Sequence, residues 1–133
     1  MTPALGKLIE ISGAPLVRDS GPIGDAVDHL GDIGASIHEV LARKNGFFCF
    51  EAALRFFPST TVESSWSISE WNSPNLWKDD YRGLADNMFC FAEEIFGRQF
   101  VVRDEKIAVF ESETGDLEVI ASSLEEWASK NTP

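Results

Sequence analysis

The sequence has few basic residues and no long apolar run. Its 133 residues contain 11 Lys and Arg against 22 Asp and Glu, which gives a formal net charge of −11. Such an excess of acids repels phosphate backbones and anionic lipids, so we expect no direct binding of nucleic acid or of a membrane. The charge instead serves ordinary solubility or favours a basic protein partner. No apolar run reaches the length of a membrane span, and the N-terminus lacks the basic-then-apolar pattern of a signal peptide, so we expect a cytoplasmic protein.

Cysteine and histidine are equally scarce, with two of each. Cys49 and Cys90 are each flanked by phenylalanines, so we expect buried free thiols rather than a disulfide. His29 lies at helical distances from Asp25 and Asp32, but the solvated side of a helix explains this set better than a metal or acid–base cluster. The sequence therefore predicts no metal site and no cofactor.

The motifs of common catalytic sites are missing as well. There is no Gly-x-Ser-x-Gly elbow, no phosphate-binding Gly-rich loop and no His-Glu-x-x-His. Other closely spaced acids are Glu93-Glu94, Asp104-Glu105, and Glu111 with Glu113. A glycosidase needs two carboxylates on facing walls of a cleft, whereas turns and strand ends collect acids because these places are solvated. We therefore predict no enzymatic activity.

The composition suggests an irregular N-terminal arm, residues 1–24, followed by one domain, residues 25–133. Within the arm we expect a short strand over Leu5–Ile11, and the Gly and Pro residues after it favour a loop.

Two segments of the domain have helical spacing. Residues 25–45 carry one apolar stripe and end on an Asn-Gly stop signal, although glycines in the first turns favour a start near Asp32. The aromatic residues of the segment 47–57 also recur at helical intervals, and Pro58 ends that segment.

From residue 87 to residue 130 the pattern is that of successive strands closed by a helix. Apolar runs separated by polar turns begin at Phe89, Phe100, Ile107 and Leu117. Ser123 precedes Glu126 by three residues, which is a capping box at the start of the last helix. The sequence predicts a meander followed by a capped helix.

Several short sequence motifs occur in a particular order between about residues 40 and 130. They are Asn45-Gly46-Phe47, Phe50-Glu51, Ala53-Leu54, Trp71-Asn72, Leu76-Trp77, Tyr81, Phe91-Ala92-Glu93-Glu94, Phe96-Gly97, Gln99-Phe100, Glu113-Thr114-Gly115 and Ser123-Leu124-Glu125-Glu126-Trp127. In this order and spacing they resemble the SUKH superfamily, the Smi/Knr-like domains of bacteria. The resemblance implies an α+β domain with a mostly antiparallel sheet packed by helices. It also implies a non-enzymatic role, because many bacterial members look like immunity proteins that neutralise a cognate toxin, often a nuclease.

The leading hypothesis is therefore an immunity protein that occludes a basic toxin. Acids surround the segment from Trp71 to Trp77, and a tryptophan pair can supply the anchors of an interface, although packing in the core or rim is the simpler explanation for tryptophans. The residues expected to contact the partner are Glu63, Glu70, Trp71, Trp77, Asp79 and Asp80. A regulatory or scaffold module with an endogenous partner is the alternative, and a small hydrolase that uses acids around an aromatic pocket is a distant third.

Overall fold

Six antiparallel strands form one open sheet in the computed structural model, which describes residues 1–19 and 26–131. The strands are β1 (Phe47–Cys49), β2 (Leu54–Phe56), β3 (Phe89–Glu94), β4 (Arg98–Arg103), β5 (Lys106–Glu111) and β6 (Leu117–Ala121). Each strand pairs with the next one along the chain, and only the connection between β2 and β3 is long. The helices are α1 (Pro3–Ile11), α2 (Asp32–Arg43), α3 (Ile68–Trp71) and α4 (Leu124–Asn131), with short 3-10 helices at Asp28–Leu30 and Lys78–Tyr81. The predicted α+β class and C-terminal meander are confirmed.

The predicted capping box begins α4. The hydroxyl of Ser123 accepts a hydrogen bond from the backbone N–H of Glu126 at 3.1 Å. The Glu126 carboxylate accepts in return from the backbone N–H of Ser122 at 2.9 Å, one residue earlier than in the standard box. This start directs the apolar face of α4 onto the sheet.

One face of the sheet packs against the helices through a cluster of aromatic rings. The fully buried Trp127 of α4 lies 4.9 Å from Phe91 and 5.5 Å from Phe100, measured between ring centroids. Both pairs meet edge to face, the arrangement that aromatic quadrupoles favour. Helices α1 and α2 pack beside α4 on this side.

The long connection between β2 and β3 covers the opposite face. Its rings stack in sequence, with centroid distances of 5.4 Å from Phe57 to Trp71 and 6.0 Å from Trp71 to Trp77. Tyr81 continues the row and meets Phe110 of β5 at 4.8 Å. The sheet is therefore buried on both faces, which explains why β5 is apolar at four consecutive positions.

The strand expected at Leu5–Ile11 is wrong, because this segment belongs to helix α1. Leu5 and Leu8 are both buried at a helical interval, and Pro3 occupies the first helical position, which suits its missing N–H. The irregular arm predicted for residues 1–24 thus contains a helix packed on the core, while its residues 20–24 lie outside the described residues.

The helical interpretation of residues 47–57 is also wrong. Phe47 of β1 stacks on Phe56 of β2 at 5.3 Å, so the aromatic spacing arises from two paired strands. The turn between them contains no Gly, Pro, Asn or Asp, the residues by which turns are recognised. Three consecutive residues adopt left-handed conformations there instead, namely Phe50, Glu51 and Ala52.

Two further expectations, on the start of α2 and on the cysteines, are confirmed. Helix α2 begins at Asp32, and Cys49 and Cys90 are buried free thiols. No helix in the described part of the chain has the length and apolar character needed to cross a membrane.

Candidate functional site

Trp71 and Trp77, the two tryptophans expected to anchor a partner, pack against the sheet within the connection between β2 and β3. Trp77 is only 9 % exposed, and its indole N–H donates to the backbone carbonyl of Trp71 at 2.7 Å. The half-buried Trp71 donates its own N–H to the side chain of Gln99 at 2.9 Å. Both side chains attach the connection between β2 and β3 to the sheet. The prediction that they anchor a partner is therefore corrected, because their indoles already have partners within the protein.

The four acids of the predicted site are exposed but do not form one group. Glu63 and Glu70 each line a surface hollow beside Trp66. Asp79 and Asp80 lie on the 3-10 helix at 78–81 and line none of the hollows described below. The structure therefore divides the predicted residues into two sets.

Trp66 is the exposed tryptophan that sequence reasoning did not separate from the others. It is 42 % exposed, although its neighbours Ser65 and Ser67 are buried. Backbone hydrogen bonds between Val62 and Ser65 close a tight turn, and the Ser67 N–H donates to the Thr61 hydroxyl at 2.8 Å. These bonds fix the backbone on both sides, so that the indole is held outward.

Three adjoining hollows run along this side of the molecule, with volumes of about 380, 360 and 320 Å³. The first and second share Arg55 and Ser64, and the second and third share Trp66. We call this continuous surface the Trp66 band and define it by Ile95, Arg55, Glu63, Trp66, Glu70 and Leu76.

The tips of two hairpins form one end of the band. The Ile95 N–H donates to the Ala53 carbonyl at 2.8 Å and so joins the β3–β4 turn to the β1–β2 turn. Ile95 and Phe96 are 68 % and 83 % exposed, which is unusual for large apolar side chains. The β1–β2 turn also has three non-glycine residues with positive φ, and such strain persists only where surrounding structure enforces it.

The basic groups near the band are already neutralised. Arg55 pairs with Glu93, and its guanidinium lies 4.5 Å from the centroid of the Phe57 ring. At the neighbouring hairpin, Arg98 pairs with acids on either side of it, Glu94 at 3.4 Å and Glu111 at 3.2 Å.

The acids of the band, in contrast, have no partner of opposite charge in the part of the chain that the structure describes. Glu63 and Glu70 form no ion pair among the described residues, and neither does Glu51 at the hairpin tip. The band therefore combines exposed apolar side chains with uncompensated negative charge.

The groups considered for chemistry are separated or engaged in structural contacts. Within residues 1–19 and 26–131 no three His, Cys, Asp or Glu side chains come together as a possible metal site, and Asp25 of the His29 set lies outside these residues. Burial raises the pKa of the Cys90 thiol well above its ordinary value, with a further contribution from the charge of Glu93. The thiol of Cys90 is therefore held in its unreactive protonated form.

Comparisons of the chain with family models and with curated proteins, and of its fold with solved structures, give no significant match.

Proposed function

We propose that the protein is a non-enzymatic binding protein of the immunity type. It neutralises a basic cognate toxin, such as a nuclease, by covering the active site of the toxin. The observation that carries this proposal is the Trp66 band, a series of adjoining hollows lined by exposed apolar side chains and by carboxylates that form no ion pair among the described residues.

The apolar part of the band has the features of an interface centre. Trp66, Leu76 and Ile95 are large, exposed and distributed over three connected hollows. Tryptophan is enriched among the residues that dominate binding energy, and contiguous exposed apolar surface marks interaction sites. Hydrogen bonds fix the backbone on both sides of Trp66, so little backbone entropy is lost on binding.

The charge of the band favours a basic partner. A nuclease must present cations to the phosphates of its substrate, and Glu63 and Glu70 present carboxylates that are free to meet those cations. Electrostatic complementarity of this kind accelerates association and excludes wrong partners more than it raises affinity. An inhibitor that covers a basic catalytic face needs both properties.

Two further observations agree with the proposal. The α+β fold with an antiparallel sheet is the one that the resemblance to the SUKH superfamily implies. Glu63, Trp66 and Glu70 also lie on the connection between β2 and β3. Stacked aromatic rings hold this connection against the sheet, so the surface is preorganised. A regulatory or scaffold protein would use the same surface, and a toxin gene next to this gene separates the two roles.

The test uses the protein encoded by the adjacent gene. We expect that protein to be toxic when expressed alone and harmless when expressed with this chain. Trp66→Ala should accelerate dissociation of the purified complex about tenfold or more, because it removes the central anchor. Glu63→Lys combined with Glu70→Lys should slow association at low salt.

The matched control is Asp79→Lys combined with Asp80→Lys, which changes the net charge by the same amount away from the band. We expect this control to alter association much less than reversal of the band acids. Equal effects of the two double variants, or unchanged kinetics with Trp66→Ala, would exclude the Trp66 band as the contact surface.

A further inference from the structure

A larger cleft lies at the opposite end of the sheet from the hairpin tips. It has a volume of about 640 Å³ and is bounded by the start of β3, the end of β4 and the 3-10 helix at Asp28–Leu30. Pockets that bind small molecules usually fall within about 300–1,000 Å³. The cleft is therefore large enough for a small organic ligand.

Two basic side chains, those of Lys78 and Arg103, line this cleft. Lys78 donates a hydrogen bond to the backbone carbonyl of Met88, and neither Lys78 nor Arg103 forms an ion pair within the described residues. In a chain with twice as many acids as bases, other arginines, such as Arg55 and Arg98, do pair with glutamates. Partly buried cations that form no ion pair among the described residues of so acidic a protein favour the binding of a negatively charged ligand.

The environment of Lys78 is unfavourable for its own charge. Burial lowers the pKa of its ammonium group, and the charge of Asp86 only partly opposes this effect. An anion in the cleft would stabilise the charged ammonium, which still has N–H donors to offer after its bond to Met88.

The acids at the rim limit how much negative charge the cleft accepts. The Glu105 carboxylate lies against Gly31, with its oxygen 3.2 Å from where a Cβ would stand. Gly31 directly precedes α2, so the positive end of that helix dipole accounts for Glu105. Asp104 remains as an exposed acid at the rim. The two cations are therefore balanced by two acids at the rim, so the cleft disfavours a ligand with more than one negative charge.

The floor of the cleft is apolar. Met88, Phe89 and Val102 are buried there, and the ring of His29 meets that of Phe89 edge to face at 5.8 Å. A ligand with an apolar body as well as an acidic group therefore fits this lining better than a hydrated inorganic anion.

We propose that the cleft binds a small organic monocarboxylate, with its carboxylate held by Lys78 and Arg103 and its apolar body over Phe89. Arg103 supplies the planar fork that matches a carboxylate, and Lys78 supplies a point charge. The cleft shares no lining residue with the three hollows of the Trp66 band, so it is a second binding function that does not depend on the first.

The test titrates benzoate into the ¹⁵N-labelled protein and follows its amide resonances by NMR. We expect saturable shifts for Phe89, Arg103 and Asp104. Benzamide, which has the same shape without the charge, should cause much smaller shifts, and inorganic phosphate should bind more weakly than benzoate. Lys78→Gln and Arg103→Gln should each weaken benzoate binding about tenfold or more, since each removes a charge-assisted contact.

Lys106→Gln is the matched control, because it removes a nearby exposed cation that does not line the cleft. We expect its benzoate affinity to stay within about twofold of the unmodified protein. The spectrum of each variant shows whether it is folded, and Arg103→Gln provides the test if Lys78→Gln is not. Equal shifts from benzamide, tighter binding of phosphate, an absence of saturable shifts, or unchanged affinity in both cleft variants would overturn the proposal.

Discussion

Glu125 joins the two ends of the chain, and its replacement should destabilise the protein measurably. Its carboxylate on α4 accepts hydrogen bonds from the backbone N–H groups of Ala4 at 2.8 Å and Leu5 at 3.0 Å. Those N–H groups belong to the first turn of α1 and have no partner within that helix. Thr2 at the cap position makes no side-chain capping bond, so Glu125 performs that role from the other end of the sequence.

The size of the effect follows from the number and type of these bonds. A hydrogen bond to a charged group contributes about 1.5–3 kcal/mol when buried, and partial exposure reduces that value. We expect Glu125→Ala, which removes the two backbone bonds and the bond from the Thr2 side chain, to lower the free energy of unfolding by about 2 kcal/mol. Glu125→Gln keeps one neutral acceptor and should cost about 1 kcal/mol, or about 3 °C in Tm for a domain of this size.

The pH dependence provides the sharper test. Burial alone would raise the pKa of Glu125, but hydrogen bonds from Thr2, Ala4 and Leu5 outweigh it and hold the pKa below its usual value. A carboxylate whose pKa is lowered by folding stabilises the protein fully above the unfolded pKa of about 4.3. That stabilisation is lost as the pH falls through the lower folded pKa, so the unmodified protein and Glu125→Gln should converge in strong acid.

The assay is urea denaturation of both proteins at pH 7 and at about pH 2.5. Glu118→Gln is the control, since it removes the same charge from an exposed position on β6. With a net charge of −11, losing an acid relieves repulsion, so this control should show no loss of stability. Equal stability of Glu125→Gln and the unmodified protein at pH 7, or a difference that persists unchanged in acid, would refute the capping role of Glu125.

Two further predictions concern the strained turn and the buried thiols. Ala52 has a φ of +71°, so Ala52→Gly should stabilise the protein by about 1 kcal/mol in thermal or urea unfolding. The control is Ala53→Gly, which should destabilise the protein because Ala53 has no positive φ. A loss of stability with Ala52→Gly would contradict the strain. Cys49 and Cys90 are buried, and burial raises the pKa of each thiol. A thiol reagent should therefore label neither cysteine in the native protein and both in denaturant. Rapid labelling without denaturant would exclude this burial.

Local signals predicted the C-terminal half correctly. The alternating run at Phe89, the Gly115 turn and the Ser123–Glu126 capping box all depend on neighbours within a few residues. Strong patterns of this kind survive in the fold because the tertiary structure uses them as they stand.

Segments defined by distant contacts were predicted less well. Helix α1 is capped by Glu125, more than a hundred residues away, and no local residue indicates that bond. The β1–β2 turn uses left-handed Phe50 and Ala52 without a glycine, because pairing with the rest of the sheet enforces that conformation. In both places tertiary contacts outweigh local preference, and sequence periodicity alone leads to the wrong element.

The same distinction applies to the candidate site. The sequence identified a segment rich in tryptophan and acid, but the four tryptophans have the same side chain and differ only in their surroundings. Trp71 and Trp77 contact other aromatic rings and donate hydrogen bonds at the face of the sheet that the β2–β3 connection covers. Trp66 follows the turn at 62–65 and is exposed at the surface.

The acidic charge, the meander and its closing helix could be predicted from the amino-acid sequence, because they depend on composition and on short-range periodicity. The pairing of the acids, the exposure of Trp66 and the meeting of Lys78 and Arg103 at one cleft could not be predicted in this way. Each of these properties depends on which distant side chains come within a few ångströms of one another, and the packing of the whole chain sets those distances.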